Sequence, residues 1–321
     1  MDSGMSRGLN ARAADIADQL AADPATYGVN VHTLVGGARV IDAGVDAPGG
    51  FAAGLAIVHA CMGGLGHASF IPLSIGGDPY HGVQVWTDHP STACMASQYA
   101  GWAVQGDGYF AMGSGPLRAV ARVEQELFDK LGYSEQAERG VLVLEGRSLP
   151  TDAVVTRVSE RAGLPRDALT FIVAPTASIA GSVQISARVV EIGLHKMDSL
   201  GFDVGLVTHA IGSAPIPPVA KNDLRGIGRT NDCLLYGGQV RYTIRTDDDT
   251  LEELARNVPA SSSIDYGTGF YEIFQRYDTD FYKIDKQLFS PAEVWLTSAT
   301  TGRTFHGGKL DAAVLRESLF G

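Results

Sequence analysis

Apolar residues recur at helical spacing from Asn10 to Ala22 and again from Ala52 to Met62, and each run predicts a helix with one face turned to a core. Between them, "VHTLVGGARVIDAGV" holds two short β-rich runs about Gly36-Gly37, the pattern of a hairpin. Alternation punctuated by Pro and Gly in "SFIPLSIGGDPYHGVQVWTD" predicts strands and loops, and "STACMASQYAGWAV" reads as a helix running into a glycine stop. After "GDGYFAMGSGP" the spacing predicts an amphipathic helix through Lys130, then a strand "GVLVLEG", a helix near Thr151 to Ala162 and a strand "LTFIVAP". The second half holds a helix over residues 183–196, the segment "FDVGLVTHAIGSAPIPP", a strand pair "DCLLYGGQVRYTI" turning at Gly237-Gly238, and a closing "FYEIFQRYDTDFYKIDKQLFSPAEVWLTS". Strands and helices intermix throughout. The expected fold is α+β, in two α/β-type lobes with mixed sheets and a pocket between them, divided near residues 165–180 into 1–175 and 176–321, with either lobe free to be discontinuous in sequence.

One predicted helix breaks the pattern. Within "GSVQISARVVEIGLHK", Gln184, Arg188, Glu191 and His195 fall within about 60° on a wheel of 100° per residue, a single polar stripe among apolar flanks. A solvated helix face is normally wider than this. Two readings stand: a thin exposed edge carrying an i,i+3 ion pair, or a buried helix whose polar stripe lines a pocket. Burying a carboxylate and a guanidinium costs several kcal/mol each unless they are paired, so a pocket for a charged ligand accounts for them better.

Composition narrows the possible partners. The 321 residues are 45% hydrophobic, enough for a sizeable core, and 25 basic against 36 acidic residues leave a net charge of −11. That charge argues against nucleic acid and anionic membrane. No apolar run approaches the roughly 20 residues of a membrane span, and "MDSGMSRGLNARAADIADQLAAD" lacks the continuous apolar core of a signal peptide, so a cytoplasmic protein is expected. Cys61, Cys94 and Cys233 are odd in number and far apart, which points to buried thiols rather than disulfides or a zinc site. None of the eight histidines stands in HExxH or HxH spacing, so no metal site is indicated. Gly113-Ser114-Gly115, ahead of Pro116 at the start of a predicted helix, reads either as an ordinary cap or as a loop offering free backbone N–H groups to an anion. It is not a Gly-x-Ser-x-Gly nucleophile elbow.

Several long segments together, "AGWAVQGDGYFAMGSGPLRA", "FIVAPTASIAGSVQISARVVEIGLHK", "TNDCLLYGGQV" and "DFYKIDKQLFSPAEV", resemble the methenyltetrahydromethanopterin cyclohydrolase family over nearly the whole chain. The resemblance implies reversible hydrolysis of 5,10-methenyltetrahydromethanopterin to the N5-formyl compound in one-carbon metabolism. It places the family's catalytic Arg and Glu on Arg188 and Glu191. Substrate-contact candidates are Gln184, His195, Gly113, Ser114, Gly115 and Tyr99. Archaeal members carry a lysine where this chain has Tyr99, so the chain is similar to the bacterial, methylotroph-type branch. The resemblance also implies a homo-oligomer, a trimer, with the pterin derivative as substrate and no separate cofactor. The rival reading from another class is a pterin-bound one-carbon carrier protein without catalysis. A folate cyclohydrolase is disfavoured by the absence of a GxGxxG motif following a strand.

Overall fold

The computed structural model describes residues 7–280 and 283–321. Met1–Ser6 of the N-terminal stretch, and Phe281 and Tyr282 of "DFYKIDKQLFSPAEV", therefore lie outside the described residues. The chain forms two units, each built on a six-stranded mixed sheet.

The first unit takes the described residues up to His67 together with Thr92–Gln184. It opens with α1 (Leu9–Ala22), α2 (Pro24–Tyr27), the antiparallel hairpin β1 (Asn30–Thr33) and β2 (Arg39–Asp42), and α3 (Phe51–Cys61). The chain then gives β3 (His67–Ile75) and β4 (Asp78–Thr87) to the second sheet. It returns through a π-helical segment, Ser91–Gln98, to β5 (Trp102–Gly106), β6 (Tyr109–Ser114), α4 (Leu117–Ala121), α5 (Gln125–Leu131), β7 (Gly140–Glu145), α6 (Asp152–Ala162), β8 (Leu169–Val173) and α7 (Ile179–Ser186). Strand order is β1-β2-β8-β7-β6-β5, and the three central strands β2, β8 and β7 run parallel.

The unbroken apolar runs of β7 and β8 follow from that position, because a parallel strand is covered on both faces. Val141, Val143 and Ile172 pack into one core with Ala13, Ala17 and Ile57, while Leu142, Leu144 and Phe171 face the other with Val154 and Val158. Asp42, at the end of β2, is fully buried and accepts hydrogen bonds from the backbone N–H groups of Gly44, Val45, Asp46 and Ala47 at 2.7–2.9 Å. These amides hold its carboxyl below the ordinary aspartate range although burial acts in the opposite direction.

The second unit comprises Ala68–Ser91 and Ile185–Gly321. Its later elements are α8 (Val189–Ser199), β9 (Val207–Pro215), α9 (Asp223–Leu235), β10 (Gln239–Ile244), α10 (Asp248–Asn257), α11 (Phe270–Arg276), β11 (Glu293–Ser298), β12 (Thr304–Gly308) and α12 (Ala312–Phe320). The sheet runs β12-β11-β10-β9-β4-β3, with β10 and β11 parallel. α8 lies against β4, β9 and β10. Its backbone approaches that sheet closely, because Gly212 and Gly238 leave room for the Val189 side chain.

Asp232 ties the helices of this unit together. Its Oδ1 accepts the Phe270 N–H at 2.8 Å, at the start of α11, and its Oδ2 accepts the Ser318 hydroxyl of α12 at 2.5 Å. Burial pushes this carboxyl up to about 7, with a smaller push from Glu272, against the lowering effect of the two hydrogen bonds. A carboxyl raised on folding contributes stability that is complete below its unfolded value of about 4 and is lost as pH climbs through the folded value. Thermal melts should therefore show stability falling between about pH 4 and pH 7, by ~1.4 kcal/mol per pH unit or roughly 2–4 °C, and levelling off above the folded value. Asp232→Asn keeps both hydrogen-bond partners without a charge and should flatten this slope; an equally steep decline in the variant would refute the assignment.

Several sequence expectations change here. The predicted strand pair "DCLLYGGQVRYTI" is the end of α9 joined to β10. Gly237-Gly238 is the joint, with Gly238 packed so closely that a methyl on it would lie 2.5 Å from the Leu234 carbonyl oxygen. The helix expected through Lys130 breaks at Arg122, whose φ of 45° ends α4 in a left-handed cap. The segment "STACMASQYAGWAV" winds with the wider π pitch, seen in the Tyr99 N–H donating to the Cys94 carbonyl at 2.8 Å, and its "WAV" opens β5. The hairpin at Gly36-Gly37 and the helices at α1, α3 and α6 form as expected. Cys61, Cys94 and Cys233 are buried free thiols.

Candidate active site

The polar stripe does not lie on one helix. α7 ends at Ser186, where the Arg188 N–H donates back to the Ile185 carbonyl at 2.9 Å, and α8 begins at Val189. This two-residue joint, Ala187-Arg188, replaces the single helix expected over residues 183–196. Gln184 thereby belongs to α7, while Arg188, Glu191 and His195 share the face of α8. Every residue from Gly181 to Glu191 is buried, so the reading of an exposed edge is overturned.

Arg188 is the N-cap residue of α8, and Glu191 sits in its first turn, where the helix dipole favours a carboxylate. Their side chains are 8% and 5% exposed, and Arg188 Nη1 lies 3.6 Å from Glu191 Oε2. This is an ion pair beyond hydrogen-bond length. Tyr242 of β10 fixes the same turn, its hydroxyl donating to the Val190 carbonyl at 2.8 Å between the two charged residues. Gly193 makes room for that hydroxyl: a methyl there would lie 2.1 Å from Tyr242 Oη. His195 is half-buried. Deeper along α8, the fully buried Lys196 donates to the Gln287 carbonyl at 2.6 Å and the Ser262 hydroxyl at 3.0 Å, and burial lowers its pKa to about 8.

In the first unit, Gln184 is 2% exposed and its Nε2 reaches Glu145 Oε2 at 3.5 Å. The hydroxyl of Thr176, 5% exposed, donates to Glu145 Oε1. Glu145 closes β7 at the carboxyl edge of the parallel strands, and Thr176 follows β8 at the same edge. Sequence reasoning missed both, although an acidic residue ending an apolar run such as "GVLVLE" is the sign of a strand delivering a polar group to that edge.

The glycine-serine segment is built differently from the anion cradle considered above. Gly113 pairs with Trp102 on one side and Leu144 on the other, and the Gly115 N–H donates to the Ser97 carbonyl at 2.8 Å. Ser114 is buried, with its Oγ 3.5 Å from Cys61 Sγ. Pro116 is an N-cap rather than a first helical residue. Tyr99 is half-buried, and the guanidinium of Arg118 lies over its ring, 5.0 Å from the centroid. Arg118 is fully buried. It forks onto Glu124 at 2.9 and 3.1 Å and donates to the Ser97 and Met95 carbonyls of the π-helical segment. A cation thus stands against Tyr99, supplied from a different element.

Comparison with known proteins defines the class first. The sequence profile of the family described as Cyclohydrolase (MCH) matches residues 8–319, making this chain a hydrolase of the cyclohydrolase type. The relative named methenyltetrahydromethanopterin cyclohydrolase in Methylobacterium organophilum is 44% identical over 97% of each chain. Its counterparts in Methanospirillum hungatei and Methanocaldococcus jannaschii are 40% and 42% identical, each over 97% of this chain and 98% of their own. The chain belongs to the methenyltetrahydromethanopterin cyclohydrolase family, about equally similar to bacterial and archaeal members. Among the described residues no helix is long and apolar enough to cross a membrane.

Proposed function

We propose that this protein hydrolyses the methenyl bridge of 5,10-methenyltetrahydromethanopterin, reversibly, to the N5-formyl compound, with Glu191 as general base and Arg188 as its electrostatic partner. The observation that carries this reading is the buried Arg188–Glu191 pair at the head of α8, in a chain that matches relatives of that name along nearly their whole length.

The substrate brings its own electrophile, a carbon held in an amidinium cation between N5 and N10. Water attacks that carbon while Glu191 takes one of its protons. The C–N10 bond then breaks with its electron pair going to N10, which receives the proton from Glu191. The hydroxyl loses its remaining proton as the formyl C=O forms, so one proton is released overall. Arg188 offsets part of the cost of burying the carboxylate charge of Glu191. Gln184, His195 and Tyr99 are the candidate contacts to the pterin. Gly113, Ser114 and Gly115 are further candidates, with the Gly115 amide committed to the Ser97 carbonyl and so not offered to a ligand. A cytoplasmic homotrimer belongs to the same reading.

A carrier protein without catalysis has little use for a buried base beside a guanidinium. Mixing the protein separately with methenyltetrahydromethanopterin and methenyltetrahydrofolate, and following the methenyl absorbance, tests both rivals. Rapid loss with the methanopterin derivative alone is expected. Stable absorbance with stoichiometric binding would establish the carrier instead.

A further inference from the structure

Glu145 is a half-buried carboxylate that, among the described residues, is held by neutral groups, Thr176 on Oε1 and Gln184 on Oε2. A carboxylate needing only structural neutralisation is ordinarily paired with a cation or saturated by amides, as Asp42 is by its four backbone N–H groups. Glu145 is arranged otherwise. Each of its oxygens accepts from one buried side chain and keeps lone-pair capacity for a second donor. The two supporting groups fix the plane of the carboxylate without cancelling its charge. Its place, at the carboxyl edge of the parallel strands β7 and β8, is where open α/β sheets receive ligands.

We infer that Glu145 recognises the pyrimidine edge of the pterin, its two oxygens accepting from the ring N3–H and the 2-amino group. This inference rests on the function proposed above, since that function supplies the pterin. Two parallel N–H donors match a carboxylate held in a fixed plane, and a charge-assisted pair is stronger than one between neutral groups. Gln184 then contributes by orienting Glu145, four residues ahead of Arg188 in the chain. Thr176 does the same from the other oxygen. Discrimination follows from the chemistry: a ring bearing a 2-oxo group in place of the 2-amino group turns an acceptor toward the carboxylate and leaves a buried oxygen unpaired.

The test uses 6-methyltetrahydropterin and its 2-oxo counterpart, the corresponding tetrahydrolumazine, as competitive inhibitors of methenyl hydrolysis. Wild-type protein should bind the pterin about 10-fold or more tighter than the lumazine, and Glu145→Gln, whose amide both donates and accepts, should bring the two within about 2-fold. The same variant should raise KM about 10- to 100-fold while kcat changes far less. Discrimination that survives in Glu145→Gln, or a KM unchanged in a variant that merely melts lower, would overturn the proposal. Should that variant fail to fold, Thr176→Val decides, because it frees Oε1 and keeps the charge: a KM raised about 3- to 10-fold with weakened discrimination supports the role, and wild-type values refute it. The inhibitor ratio does not depend on the identity of the base, so a failure of Glu191 as base would leave it intact.

Discussion

Glu191→Gln should fold, bind substrate and lose turnover by about 10²- to 10⁴-fold, the usual range for removal of a general base. Gln keeps the size of the side chain and much of its hydrogen bonding but takes no proton. A scaffold role for the same residue predicts another outcome: Arg188 would lose its countercharge, and breaking a buried pair costs on the order of 3–5 kcal/mol of stability with chemistry untouched. Arg188→Lys sharpens the distinction, since the ammonium keeps the charge and loses the planar guanidinium. Turnover should fall in that variant while the melting temperature stays near wild type. Methenyl hydrolysis and thermal melts on both variants decide the matter: near-normal turnover in a destabilised Glu191→Gln protein would sink the catalytic assignment.

A large structural effect is expected at Gly181, beside the candidate site. The Ser178 hydroxyl donates to the Pro175 carbonyl at 2.7 Å and accepts the Gly181 N–H at 2.9 Å, so the start of α7 is folded tightly onto the chain leaving β8. A methyl on Gly181 would lie 1.9 Å from the Pro175 carbonyl oxygen, a backbone atom with no rotamer to escape into. α7 must then shift, carrying Gln184 away from Glu145. Overpacking of this kind typically costs 1–3 kcal/mol, and against backbone about 3 kcal/mol or more is expected for Gly181→Ala. In a chain this long that is a fall in Tm of roughly 6–12 °C, together with a raised KM. Gly50→Ala is the control, its methyl meeting nothing nearer than 3.8 Å. Equal melting temperatures for the two variants would refute the steric account.

Much of this architecture was legible from periodicity where burial is one-sided or complete. α1 shows its apolar face at Leu9, Ala13, Ala17 and Leu20, and β7 and β8 are unbroken apolar runs, so both kinds of element declared themselves. Periodicity failed where long-range packing sets the local outcome. Nothing local in "SARVV" marks the joint at Ala187-Arg188, because its residues are compatible with a continuing helix and are buried whichever way it turns. The end of α9 was mistaken for a strand because "CLLY" is short and apolar, and such runs do not distinguish a buried helix from a strand. For the candidate site, the Arg188–Glu191 spacing was readable, since both residues lie within four positions of each other. The partnership of Glu145, Thr176 and Gln184 was not, because residues 39 positions apart meet only through the pairing of β7 with β8.

The fit of Tyr242 into the space over Gly193 has a consequence for how such sequences diverge. The two positions are 49 residues apart yet form one evolutionary character: a side chain at 193 requires Tyr242 to move or to be replaced, because a methyl there would lie 2.1 Å from its hydroxyl. Single substitutions at either position pass through an intermediate that is overpacked or leaves the Val190 carbonyl without its extra donor. Lineages should therefore change both positions together or neither, and the first turn of α8 inherits that conservatism.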